Sequence, residues 1–140
     1  MKLLEARIDF TRCLTDLLHV GDIDGYDLMI AEVVRDPMTA LWNSQHCRVV
    51  VGKGRCEKTR DEHPPTGHQF KPIGIAKSVH CVGLAVDLYI ITDGAIDNDR
   101  AKYEVLGTYW KTLHPLARWG GDFEGFPDLG HFSFEWEGRK

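Results

Sequence analysis

The sequence predicts an α+β domain in which a small antiparallel sheet is flanked by N-terminal helices and by one helix before the last strands. Three observations lead there. Apolar residues recur at three- and four-residue steps near the N-terminus, the run from Val82 to Ile91 is apolar on both faces, and the last residues alternate between apolar and polar. With 140 residues, 43% of them apolar and 27% charged, the chain has the balance of one globular unit, not of a disordered or collagen-like polymer.

Leu3, Leu4, Ile8, Leu14, Leu17 and Leu18 predict a helix that stops at Gly21. The turn Gly21-Asp22-Ile23-Asp24-Gly25 lacks the spacing and terminal glutamate of a calcium loop and reads as a solvated turn. From about Tyr26 to Val34 the spacing predicts a second helix, limited by Pro37. Cys47 to Val51 is a β-branched run closed by Gly52 and Gly54, which predicts a buried strand. Residues 55–75 have no period and predict a long loop of the functional kind. Val82 to Ile91 predicts the strongest strand, ended by the turn Thr92-Asp93-Gly94. Tyr103, Leu106, Tyr109, Trp110 and Leu113 place a helix over Asp99 to Leu113, with Pro115 beyond it. In the last strand Phe132, Phe134 and Trp136 point one way and His131, Ser133 and Glu135 the other, so one polar face is expected. The expected organisation is a single domain over residues 1–140, helical to about residue 36, with the functional core over about residues 41–136.

Several classes of function are disfavoured at this stage. Seventeen basic residues against twenty-one acidic ones give a net charge of −4 without long blocks of either sign, which argues against a nucleic-acid face. No apolar stretch is long enough for a transmembrane helix. The charged start from Met1 to Arg7 does not resemble a secretory signal, so synthesis and folding in a cytoplasm are expected, as a monomer. The four cysteines form no C-x-x-C pair, and reduced thiols are the expectation.

The functional argument begins at Asp87. A carboxylate inside an apolar strand is costly unless a cation or several donors compensate it. His80 lies seven residues upstream, with Gly83 between them to bend the chain, and His131 projects from the polar face of the last strand. Two histidines and one carboxylate with an open fourth position make a catalytic zinc shell. Asp128, three residues before His131 in the turn Phe126-Pro127-Asp128-Leu129-Gly130, is placed to act as general base. Cys81, beside His80, is expected to point away from the ligand in extended backbone.

The segment Ser78-Val79-His80-Cys81-Val82-Gly83-Leu84-Ala85-Val86-Asp87-Leu88 resembles the S-x-H-x-x-G-x-A-x-D-[LI] signature of the zinc-dependent D,D/L,D peptidases. That family includes D-alanyl-D-alanine carboxypeptidases and dipeptidases and phage L-alanyl-D-glutamate endolysins. Trp119-Gly120-Gly121-Asp122-Phe123, followed by Phe126, Asp128 and His131-Phe132, is similar to the W-G-G-D-[WF]…F-x-D-x-x-H-F segment of the endolysin branch. The resemblance covers roughly residues 41 to 136. It implies Zn2+ held by His80, Asp87 and His131, with Asp128 as the catalytic acid or base. It also implies an arginine that stabilises substrate or oxyanion charge, for which Arg55 is the nearest match and Arg48 a poorer one. Ser78, Trp119 and Asp122 are expected to contact substrate. Ser133 departs from the pattern, since many members carry a glutamate there.

The implied substrate is the stem peptide of bacterial peptidoglycan, cut at the L-alanyl-D-glutamate bond by an endolysin that reaches the wall after release from the host cytoplasm. Other readings stay open. They are a D-alanyl-D-alanine carboxypeptidase, a non-catalytic zinc-binding virion module of the same fold, and a thiol enzyme using Cys81 or Cys56 with a histidine base.

Overall fold

The computed structural model describes residues 1–45, 50–51, 54–55 and 77–140, the side chains of 50–51 and 54–55 excepted. The long loop expected over 55–75, most of the strand expected from Cys47, and Arg48 and Cys56 lie outside the described residues.

Helix α1 runs over Leu3–Ile23 and is fastened at its start by the Lys2 N–H, which donates to the Glu5 carboxylate at 2.8 Å. Its buried stripe is Ala6, Phe10, Cys13, Leu17 and Gly21, while Leu4 and Ile8, expected on the core face, are exposed. The helix does not stop at Gly21. A β-carbon there would lie 2.4 Å from Leu28 Cδ1, so the glycine marks a close approach to the next element and not a break.

The helix expected over Tyr26 to Val34 is instead strand β1, Asp27–Glu32. It pairs antiparallel with β4, Ala85–Thr92, from Asp27↔Ile91 to Glu32↔Asp87, with a register break between Ile30 and Glu32. Short apolar segments carry too few residues for periodicity to separate helix from strand, and here the open edge of β4 decides. Pro37 likewise starts a helix instead of limiting one. Helix α2, Pro37–Gln45, has proline in its first turn, where no N–H is needed, and Asp36 accepts from the Thr39 N–H at 2.9 Å. Strands β2 (Val50–Val51) and β3 (Gly54–Arg55) form a separate two-stranded ladder.

Before β4, Val79–Val82 form a 3-10 turn, so the run expected as strand from Val82 is extended only from Ala85. Asp93 and Gly94, at φ 53° and 76°, make the two-residue turn to β5, Ala95–Ile96. Helix α3 spans Arg100–Leu113, and its N-cap Asp99 accepts from the Ala101 N–H at 3.0 Å. Strand β6 (Ala117–Trp119) leads through a 3-10 turn, Gly120–Asp122, and a loop to β7, His131–Phe134. The sheet order is β1-β4-β7-β6, antiparallel throughout, with β5 added to β4. The α+β class with a small antiparallel sheet is borne out.

Helices α1 and α3 close over one face of this sheet. Phe10 meets Trp110 and Phe134 edge-on at 5.6 and 5.3 Å between ring centres. The Trp110 indole N–H donates to the carbonyls of Arg118 and Ser133 at 3.0 and 3.1 Å, tying α3 to β6 and β7. All four residues of β7 are buried, so the strand expected to present a polar face to solvent is enclosed on both faces. His131 and Ser133 therefore point into protein, where polar atoms need partners.

Candidate metal centre

His80 sits in the 3-10 turn and is 2% exposed. Ser78 caps that turn, its hydroxyl accepting from the His80 N–H at 3.2 Å, and Gly83 ends it in the left-handed conformation at φ 66°. Cys81 therefore lies in helical rather than extended backbone. Two residues beyond Gly83 the chain enters β4, which carries Asp87. The register of β4 with β7 sets Asp87 directly opposite His131. The ladder thus converts a separation of 44 positions in sequence into neighbouring side chains.

The three groups form a nearly equilateral triangle. His80 Nε2 is 3.3 Å from His131 Nδ1 and 3.3 Å from Asp87 Oδ1, and His131 Nδ1 is 3.2 Å from the same oxygen. Among the described residues this is the one cluster of three His, Cys, Asp or Glu with ligand atoms so placed. A single proton cannot satisfy all three edges. A tetrahedral zinc shell with bonds of about 2.0–2.1 Å has ligand–ligand edges of about 3.3–3.4 Å, so the donor set fits the ion in type and spacing. The His131 Nε2 is buried with no hydrogen-bond partner among the described residues, as is the Ser133 hydroxyl.

Burial works against the Asp87 charge, but hydrogen bonds with His131 and His80 outweigh it and hold the carboxyl well below its usual range. The cost of a carboxylate in an apolar strand is thereby offset by the two rings.

Asp128 lies at the exposed rim beside the triangle. Partial desolvation, the largest effect, raises its carboxyl above the ordinary value; His131 opposes the rise and Asp87 adds to it. A raised carboxyl pKa suits a group that must take and return a proton. Its backbone is pinned, since the Asp128 N–H donates to the Gly120 carbonyl at 2.9 Å and the His131 N–H to the Asp128 carbonyl at 3.2 Å. A β-carbon on Gly120 would stand 2.2 Å from the Asp128 carbonyl oxygen and 2.8 Å from His131 Cβ. The bare backbone of Gly120 is thus what lets this loop fold down onto the centre, while Gly121 makes room for the Trp119 ring.

The other expected site residues fall elsewhere. Trp119 is 1% exposed, packed against Gly107 and Gly121, with its indole N–H donating to the Leu129 carbonyl at 2.9 Å. It holds the loop that carries Asp128. Asp122 is exposed and paired with Lys111 at 2.6 Å. Arg55 lies in β3, its side chain outside the described residues, as is Arg48. Two further neighbours complete the surroundings: Phe123, the last residue of the Trp-Gly-Gly-Asp-Phe segment, whose ring centre is 5.6 Å from that of His131, and the Val33 carbonyl, 3.3 Å from His80 Nδ1, which has no signature in the sequence.

Comparison with known proteins agrees with this geometry. Residues 74–134 match the protein family described as D-alanyl-D-alanine carboxypeptidase. Among solved structures, the Serratia marcescens L-Ala D-Glu endopeptidase ChiX is similar, with a TM-score of 0.60 and 16% identity over 91% of this chain and 79% of that one. That likeness speaks for the fold. No curated protein matches the chain. The matched stretch, a little under half of the chain, holds every corner of the triangle together with Asp128.

Proposed function

We propose that this chain is a zinc-dependent peptidoglycan endopeptidase that hydrolyses the L-alanyl-D-glutamate bond of the stem peptide. The observation that carries the reading is the triangle of His80, Asp87 and His131 with Asp128 at its rim. Zinc, when bound there, supplies the Lewis acidity that acidifies water and polarises an amide carbonyl. Asp128 takes the proton of the attacking water and returns it to the leaving amine. His80, Asp87 and His131 bind the ion, and Arg55 is the proposed cation for developing negative charge.

The choice of bond rests on the Trp119–Phe123 segment, which is similar to the endolysin branch, and on the fold shared with an L-Ala D-Glu endopeptidase. An endolysin role, in which the protein meets the wall after release from a host cytoplasm, follows the same resemblance. The description of the matched family favours a second reading, removal of terminal D-alanine.

Digestion of purified peptidoglycan by the zinc-loaded protein, read by mass spectrometry, separates them. New N-terminal D-glutamate is expected, lost on chelation and reduced about 10²- to 10⁴-fold in Asp128→Ala. Released D-alanine would move the enzyme to carboxypeptidase action. No cleavage by a folded, zinc-loaded protein would sink the catalytic reading.

A further inference from the structure

His80 is held from outside the stretch that matches the family. Its Nδ1 lies 3.3 Å from the carbonyl oxygen of Val33, and a carbonyl only accepts. Nδ1 therefore carries the ring proton, which leaves the Nε2 lone pair for the metal. The main-chain carbonyl of the same histidine accepts from the Arg35 N–H at 3.2 Å. Both partners belong to the corner 32–35, which leaves β1 just after the break in its register. The side chains at the two ends of the corner close it: Arg35 Nε donates to Glu32 Oε1 at 3.0 Å, and Arg35 Nη2 makes a second bond to Glu32 Oε2. Such a two-point pair fixes relative orientation as well as distance. It is largely shielded, with the arginine side chain 16% and the glutamate 29% exposed, so solvent weakens it less than an open surface pair.

We infer that the Glu32–Arg35 pair is a positioning device for the metal ligand: by fixing the corner it aims the Val33 carbonyl at His80 and selects the tautomer that binds zinc. The inference rests on His80 being a ligand. Neither side chain needs to reach substrate, because the effect passes through the backbone of the corner to the ring.

The test uses the full chain with zinc alone as probe. Zinc affinity is measured by competition with a chromogenic chelator, and the His80 tautomer by long-range proton–nitrogen NMR, in the wild type, Arg35→Met, Glu32→Gln and Arg35→Lys. In the wild type, His80 is expected to be protonated at Nδ1 with and without zinc. Arg35→Met and Glu32→Gln should each weaken zinc binding about 10- to 100-fold, the usual cost of losing outer support of a ligand, and mix the tautomers in the zinc-free protein. Arg35→Lys should recover part of the loss, since an ammonium restores the charge but not the fork. Wild-type affinity and an unmixed tautomer in both of the first two variants would overturn the inference, as would an Nε2-protonated His80 in the zinc-free wild type. If Arg35→Met does not fold, the near-isosteric Glu32→Gln and the wild-type tautomer still decide. A wild type whose His80 signals ignore zinc would instead remove the metal-centre reading beneath it.

Discussion

The ladder of β4 and β7 and the N-terminal third of the chain bury their apolar residues very differently. Ala85, Val86, Leu88, Ile90, Phe132 and Phe134 are at most 1% exposed, and even Ser133 is fully covered. In the N-terminal third Leu4, Ile8, Met29, Ile30, Met38, Leu41 and Trp42 are between 40% and 70% exposed. The ladder is covered by α1 and α3, whereas β1 is an edge strand and only Ala40 of α2 is buried. The rigid part of the molecule is therefore the part that bears Asp87 and His131. The N-terminal third acts through a few anchors, chiefly Phe10 and Leu17 in the core and the Val33 carbonyl at His80.

Truncation of buried side chains should show this contrast most strongly. Trp110→Ala removes a fully buried indole and both of its hydrogen bonds, and is expected to cost about 3–5 kcal/mol in denaturant unfolding. Met38→Ala, on the exposed face of α2, should stay within about 0.5 kcal/mol. Equal losses in the two variants would erase the distinction.

A sharper version concerns Trp119, which links the core to the Asp128 loop. Trp119→Phe keeps much of the packing but leaves the Leu129 carbonyl without its donor, at a cost of about 1–3 kcal/mol. Because the loop loosens while Asp87 and His131 stay on the ladder and His80 in its turn, hydrolysis should fall more than zinc affinity does. A variant with unchanged stability and only a raised KM would make Trp119 a substrate contact instead.

The smallest effect belongs to Asp97, beyond the end of β5. A hydrogen bond from Lys102 at 2.5 Å, with others from the Asp99 N–H and Thr92, lowers its carboxyl to about 2. A depressed carboxyl stabilises the fold above its ordinary value of 3.8, and that contribution is lost as pH falls through about 2. NMR titration should put the Asp97 midpoint near 2 and return it to the ordinary range in Lys102→Met. A wild-type midpoint near 4 would show that the pair does not persist in solution.

Two of the three candidate metal residues were legible because they broke the pattern of their surroundings. Asp87 interrupts an apolar strand, and His131 alternates with phenylalanines. Helix α3 was legible from its spacing and from Asp99 and Pro115 at its ends. β1 was not, because its residues fit either period and its partners lie 55 to 64 positions away in sequence. The roles of Trp119 and Ser78 were hidden for a related reason. A motif shows that a residue belongs to a site region, but whether it faces substrate or supports the loop beneath depends on packing, and here both side chains are buried.

The sequence by itself determined the residue types of the candidate centre: two histidines and a carboxylate of the kind that can hold a metal, a second carboxylate three positions before His131, and glycines that flank the turns. Those follow from local composition, which covalent order preserves. Only the tertiary structure decided that β1 covers the edge of β4, that β7 is enclosed on both faces, and that a main-chain carbonyl from residue 33 orients His80. Backbone carbonyls are the same in every residue. Which one meets a given imidazole depends on how strands pair and corners close across the whole chain, and that selection is written in no local segment.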